Sequence, residues 1–245
     1  MNKILIIGAT SAIAQEVARN FAKQEDQFYL LGKNKAHLEI IASDLKARGA
    51  YKVDFSVFDA IQTDLSEKWT QEAIRIMNGL DIVLIAHGIL PDQEACQKSF
   101  LDTELSLKIN FLSPISFLTP IASYFEQKKS GCIAVISSVA GDRGRQSNYV
   151  YGTAKGGLTI FLQGLRNRLY SSGVSVLTIK PGFVDTPMTS HLQKGFLFAT
   201  PKKVGKDIFK AILCRKLILY TPFFWKAIML MIKMIPEKIF QRLKL

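Results

Sequence analysis

Seven short apolar runs, separated by stretches with helical spacing, leave this chain few architectures to choose from. They are Ile4 to Ile7, Phe28 to Leu31, Val53 to Phe58, Ile82 to Ala86, Cys132 to Ile136, Val174 to Ile179 and Leu217 to Tyr220. A run such as Asp81-Ile82-Val83-Leu84-Ile85 does not alternate in polarity, which is the pattern of a strand covered by helices on both faces. Strands of this kind alternating with helices predict an α/β fold with a doubly wound, mostly parallel, seven-stranded sheet. At 245 residues and 48% apolar content, one large domain suffices to bury the core. No repeat, low-complexity stretch or Gly/Ser linker marks a boundary. Residues 1–221 are therefore expected to form the catalytic and cofactor-binding domain, with 222–245 as an amphipathic basic tail of the same domain.

The apolar start at Ile4 runs straight into Gly8 without a cleavage-like site, so it reads as the first strand of a cytoplasmic protein and not as a signal peptide. Cys96, Cys132 and Cys214 are odd in number and far apart, and form no CxxC pair; neither a disulfide framework nor a metal site is expected.

After the first strand, Gly8-Ala9-Thr10-Ser11-Ala12-Ile13-Ala14 leads into a helical pattern. Small residues at 8, 12 and 14 suit a turn where the backbone approaches a pyrophosphate whose charge meets the following helix N-terminus. A tight turn without ligand would use the same residues. The second strand ends in Gly32-Lys33-Asn34, with no acid to accept from a ribose 2′-hydroxyl. Lys33 suits a 2′-phosphate, and so favours NADP(H), or is simply solvated. Asp59, at the end of the third strand, accepts from an adenine amino group or closes a turn.

Chemistry concentrates between Ser138 and Lys155. Tyr151 and Lys155, at i and i+4, share a helix face, so an ammonium stands near a phenol, and its charge is expected to draw the phenol down toward the working range of an acid or base. Ser138 follows the Cys132 to Ile136 strand, on the ligand-binding edge of such a sheet, where its hydroxyl can hold a carbonyl oxygen.

These residues resemble the short-chain dehydrogenase/reductase family, a Rossmann-type fold, whose Y-x-x-x-K and upstream Ser stand here as Tyr151, Lys155 and Ser138. The resemblance covers about residues 1 to 190. It implies hydride transfer to or from a carbonyl carbon, with Tyr151 as acid/base, Lys155 holding the ribose, and Asn110 supporting a proton relay through water and Lys155. It further implies cofactor contacts at Gly8, Thr10, Ser11, Ala12, Ile13, Lys33, Asp59, Ala86, His87, Gly88, Tyr151, Lys155, Pro181, Gly182, Val184 and Thr186. Family habit implies a homodimer or homotetramer.

The chain departs from the family pattern in three places. In the glycine turn, Ile7 replaces the usual Thr while Ala12 and Ala14 replace glycines, with methyl groups expected to crowd the pyrophosphate slightly without blocking it. The usual N-N-A-G reads Ile85-Ala86-His87-Gly88, which leaves a backbone role and makes His87 either a new proton donor or a structural residue. Arg143 and Arg145 lie in the loop between Ser138 and Tyr151, where they either bind an anionic substrate or are solvated.

Net charge is +12, and nine of the twelve excess charges fall in residues 200–245. Nucleic acid is not the expected partner, because the aromatics of that stretch lie inside an apolar run and are not interleaved with basic residues. From Phe223 to Ile235 the run is too short, and too interrupted by Lys226 and Lys233, to span a bilayer. It reads as an interfacial helix on the inner face of an anionic membrane, with Trp225 at headgroup level, or else as a lid or an oligomer contact. This C-terminus and the glycine turn also resemble the branch of decaprenylphosphoryl-2-keto-ribose reductases, which implies a lipid-linked keto-sugar or other amphiphilic ketone. The rival reading from another class is a non-catalytic dinucleotide-binding scaffold or sensor.

Overall fold

A computed structural model describes residues 1–190 and 193–243. The strands are β1 (Lys3–Ile7), β2 (Gln27–Gly32), β3 (Lys52–Val57), β4 (Ile82–Ile85), β5 (Cys132–Ile136), β6 (Ser175–Pro181) and β7 (Ile218–Thr221). They form one sheet in the order β3-β2-β1-β4-β5-β6-β7, with every pairing parallel. All seven expected strands are present, with ends moved by at most two residues. The order reverses between β1 and β4, so the crevice beyond their C-terminal ends is the ligand position of such a sheet.

Helices cover both faces. On one side pack α1 (Ala12–Ala22), α2 (Lys35–Ala47) and α8 (Pro201–Leu213), with Phe21, Leu38 and Ile208 in a continuous core. On the other pack α3 (Ser66–Met77), α6 (Ser113–Lys128) and α7 (Tyr149–Leu169), with Trp69, Phe117, Phe125 and Leu162. The non-alternating strands follow from this: Leu5 and Ile7 face one core while Ile4 and Ile6 face the other. Two short helices, α4 (Gln93–Lys98) and α5 (Phe100–Leu107), precede a π-helical turn at Lys108–Leu112 that runs into α6. By length and composition the continuous stretch Phe100–Lys128 could cross a membrane, yet its Phe117, Leu118, Ile121 and Phe125 are wholly buried against the sheet.

The chain ends in α9 (Trp225–Met234) and α10 (Glu237–Phe240). Trp225, Met229 and Val139 form a third, smaller cluster with Phe183, Tyr220, Phe224 and Ile228. The tail therefore folds back over the C-terminal edge of the sheet.

Candidate active site

The cofactor end is built by close approach of backbones. Gly8 has φ +86°, and a Cβ there would lie 2.4 Å from the amide nitrogen of His87. Only glycine lets the β1 turn nest against the β4 turn so closely. Ser11 caps α1, its hydroxyl accepting from Ala14, so Thr10, Ser11, Ala12 and Ile13 lie at a helix N-terminus whose first amides have no intrahelical partner. This cradle fits a pyrophosphate. The Ala14 methyl is fully buried in the core.

At the adenine end, Lys33 and Asp59 meet each other: Lys33 Nζ lies 3.2 Å from Asp59 Oδ2, with the lysine largely exposed. Asp59 Oδ1 also accepts from Ile61 N at 3.2 Å, so Asp59 closes a turn as well. Burial pushes its carboxyl up, but the Ile61 amide and Lys33 outweigh this and hold it below the usual range.

His87 takes the structural role of its two readings. Its ring packs edge-on against Phe58, 5.3 Å between centroids, and Nε2 lies 3.0 Å from the Ser113 hydroxyl. Burial, assisted by the charge of Lys155, drives its pKa down to about 3. A group so held is neutral at any working pH and aimed into the core. What faces the crevice here is the backbone of Ala86, His87 and Gly88.

The candidate catalytic residues come together where β5 meets α7. Ser137 donates to Lys155 O at 3.0 Å and lies 2.9 Å from Thr159 Oγ1, which ties the end of β5 to α7. Ser138 follows in extended backbone, its hydroxyl accepting from Ala140 N at 3.1 Å. Lys155 is buried, donates to Ile136 O at 3.2 Å, and places its ammonium 5.8 Å from the Tyr151 ring centroid. Asn110, in the π-helical turn and fully buried, accepts from Ile89 N at 3.0 Å and so holds the β4 loop. A π-turn commonly marks a functional position.

Electrostatics at this site run opposite to the sequence expectation for Tyr151. Burial pushes the phenol up, to about 12, and the Ser138 hydroxyl offsets this only in part. The lysine is itself buried, and its pKa is pulled down to about 8. Desolvation thus outweighs the Ser138 hydroxyl, and Tyr151 is held as a protonated phenol at neutral pH.

On the last strand edge, Pro181 ends β6, Gly182 N donates to Thr221 O at 3.1 Å, Val184 is buried, and Thr186 N donates to Thr189 Oγ1 at 3.2 Å. Pro181 to Thr186 therefore follow the C-terminal end of β6, on the same edge of the parallel sheet as the turn after β1.

Three features escaped the sequence reading. Asp142 is bound by both Lys180 Nζ and Tyr220 OH, the latter at 2.7 Å, which clamps the loop after Ser138 to β6 and β7. Residues so far apart in the chain carry no pattern that would pair them. Arg143, expected to be either a substrate ligand or solvated, is neither. Its guanidinium donates to Ile232 O at 2.5 Å and Ile235 O at 2.6 Å, pairs with Glu237 at 2.9 Å and stacks 3.7 Å over Phe240. Trp225, expected at lipid headgroups, is 3% exposed and lies against Gly182 and Phe183. The tail is in this respect a cover over the crevice.

Comparison with known proteins agrees with this geometry. The sequence matches the short chain dehydrogenase family over residues 2–195. An uncharacterized oxidoreductase of Mycobacterium tuberculosis is 29% identical over 240 residues, covering 98% of this chain and 96% of its own length. A 3-oxoacyl-(acyl-carrier-protein) reductase of Chlamydia muridarum is 29% identical over 199 residues, covering 78% of each. Among solved structures, a short-chain dehydrogenase from Sphingobium yanoikuyae in complex with NADPH superposes with a TM-score of 0.82 at 21% identity, covering 93% of this chain and 92% of its own, which shows the shared fold. With the parallel sheet, the glycine cradle and the Ser138, Tyr151 and Lys155 cluster all in place, the match over most of its length makes this chain a short-chain dehydrogenase/reductase, an oxidoreductase.

Proposed function

We propose that the protein is an NADP(H)-dependent reductase of a carbonyl substrate, and that Ser138, Tyr151, Lys155 and Asn110 carry the reaction. The observation that carries this reading is the meeting of Ser138, Tyr151 and Lys155 at the C-terminal edge of the sheet, with Tyr151 protonated at neutral pH. The protonated phenol is the form that gives a proton in the direction of carbonyl reduction. NADPH, when bound, supplies the hydride. Ser138 orients the carbonyl oxygen, Tyr151 delivers the proton to it, and Lys155 holds the nicotinamide ribose and supports the phenolate left behind. Gly8 and Thr10 to Ile13 receive the pyrophosphate, Lys33 a 2′-phosphate, Asp59 the adenine, the Ala86 to Gly88 backbone the adenosine side, and Pro181, Gly182, Val184 and Thr186 the nicotinamide side. A non-catalytic scaffold would have no need of a buried, desolvated lysine beside a tyrosine.

The test is NADPH-dependent reduction of a panel of ketones. Tyr151→Phe should keep NADPH affinity and lose about a hundredfold or more in turnover. Near-normal turnover would remove Tyr151 from the mechanism.

We further propose that the substrate is amphiphilic, of the polyprenyl-phosphate keto-sugar kind, and is met at the inner surface of a membrane. What supports this is the outer face of the tail. Phe223 (84% exposed), Met231, Met234 and Ile239 project outward beside the exposed Lys226, Lys233 and Lys238. Apolar side chains flanked by lysines suit an anionic bilayer. Arg242 joins them, while Lys244 lies outside the described residues. Met231→Asp with Met234→Asp, both on the outer face, should abolish sedimentation with anionic vesicles at low salt without unfolding the protein. Equal sedimentation of the variant would end the membrane reading. Exposed apolar residues on α5 (Phe100, Leu101) and α7 (Ile160) support a homodimer or homotetramer as the solution state.

A further inference from the structure

We propose that Gln93 is a positioning residue for Tyr151: its side-chain oxygen caps the helix that carries the phenol and holds the first turn of that helix in place for proton transfer. This rests on the reductase reading above, and deepens it by naming what fixes the acid. Helices α1, α2, α4, α5 and α8 are each capped locally, by the side chain of Ser11, Asn34, Asp92, Ser99 or Thr200 directly before the first helical residue. The 21-residue α7 is not. Asn148 stands at its N-cap with a side chain suited to the task, yet makes no capping bond, and its Oδ1 is buried without a partner. The cap comes instead from 57 residues earlier in the chain: Val150 N donates to Gln93 Oε1 at 3.1 Å, and both residues are buried.

Tyr149, Val150 and Tyr151 are the first three residues of α7, so their amides have no intrahelical acceptor, and such a turn frays unless something takes its donors. Tyr151 lies within that turn. The first bond inside the helix comes only afterwards, from Gly152 N to Asn148 O at 2.8 Å. Gln93 can act as a fixed acceptor because it is itself held. It begins α4 directly after Asp92, whose carboxylate accepts from Glu94 N at 2.9 Å, and the loop from β4 is fixed at Ile89 by Asn110 Oδ1 at 3.0 Å. The Gln93 side chain is tied to α7 by its oxygen alone: its Nε2 is buried and has no partner, so the bond to Val150 is the one that this amide makes among the described residues. An apolar side chain would fill the same space without leaving a donor unpaired, which singles out the acceptor oxygen as what this position supplies.

The test measures ketone reduction with NADPH, together with amide hydrogen exchange across residues 149–151, in the wild type, Gln93→Met and Gln93→Glu. Methionine keeps the length and removes the acceptor. Glutamate keeps the acceptor, drops the unpaired NH2 and adds a charge that a helix N-terminus favours. Misplacing the acid slows proton delivery but leaves the contacts to ketone and cofactor, so Gln93→Met should lose about tenfold to a hundredfold in kcat with both KM values within about threefold. Its solvent deuterium isotope effect on kcat should rise, exchange at 149–151 should quicken about tenfold, and Gln93→Glu should return all three toward wild type. Near-normal kcat in Gln93→Met overturns the proposal. So does a loss that Gln93→Glu does not recover, or one that follows the unfolded fraction with an unchanged isotope effect, since the glutamine would then be structural only. If Gln93→Met does not fold, Gln93→Asn, one methylene too short to reach Val150, decides by the same measures. A wild type that reduces no ketone would defeat the reductase reading, and the exchange rates alone would then decide whether Gln93 caps α7.

Discussion

The two ends of the crevice are built by different means. At the cofactor end, the β1 turn and the β4 turn approach backbone to backbone, and the tolerance is set by the missing Cβ of Gly8. At the substrate end, side chains from distant segments hold the parts together: Asp142 between Lys180 and Tyr220, and Arg143 capping the carbonyls at the end of α9. A backbone cradle suits a ligand with one fixed shape, such as a dinucleotide. A side-chain enclosure can be re-cut by substitution without disturbing the sheet, and suits the end that must distinguish substrates.

This difference is open to direct attack, beginning with the largest effect. Gly8→Val forces a β-branched residue into positive φ and against His87, and should cost both stability and about a hundredfold or more in NADPH affinity, read by fluorescence titration. If affinity survives, the cradle is more compliant than the geometry implies. Lys155→Met removes a buried charge and should abolish turnover while raising the melting temperature at pH 7 by several degrees. The sign follows from linkage. With its pKa near 8 in the folded protein against 10.5 when free, the unfolded chain binds the extra proton between those values. Wild-type stability therefore gains as pH rises from 8 to 10.5, so the advantage of Lys155→Met should be full below pH 8 and shrink above it. A pH-independent difference would mean that the lysine is not desolvated.

Gly182→Ala tests the other end, since its Cβ would meet the Trp225 indole while the backbone itself accepts alanine. It should lift the tail, shift tryptophan emission toward that of exposed indole, and change KM for substrate by about tenfold, with a smaller loss of NADPH affinity because Gly182 also belongs to the nicotinamide side. Equal losses on both would show that the two ends are not independent. His87→Leu should flatten the acid limb of stability. Because the folded imidazole stays neutral to about pH 3 and the unfolded one protonates near 6.5, the wild type should lose about 2 kcal/mol by pH 5 that the variant keeps, measured by urea unfolding. The smallest effect belongs to Lys33→Asp. An exposed lysine pairing with Asp59 contributes little to stability, so the variant should melt as the wild type does while its NADPH over NADH preference narrows or inverts. Equal affinities for the two cofactors in the wild type would sink the NADP(H) assignment.

What the sequence determined by itself was whatever depends on local order. The non-alternating runs at Ile4 to Ile7 and Ile82 to Ile85 declare strands with helices on both faces, because a parallel strand buries both sides. The i, i+4 spacing of Tyr151 and Lys155 declares a shared helix face, and Ser138 follows directly from the strand that precedes it. Tertiary structure decided the rest, since burial and partners are not local quantities. Whether Tyr151 is drawn down by a cation or pushed up by desolvation depends on what covers it, and the cover wins. His87 could be aimed at the crevice or at Phe58 and Ser113 with the same neighbours in sequence. Arg143 and Arg145 are indistinguishable as letters two apart in one loop. The first is captured by carbonyls some ninety residues downstream and the second makes no ion pair among the described residues, because only the folded tail brings the end of α9 to one of them and the thioether of Met229 to the other.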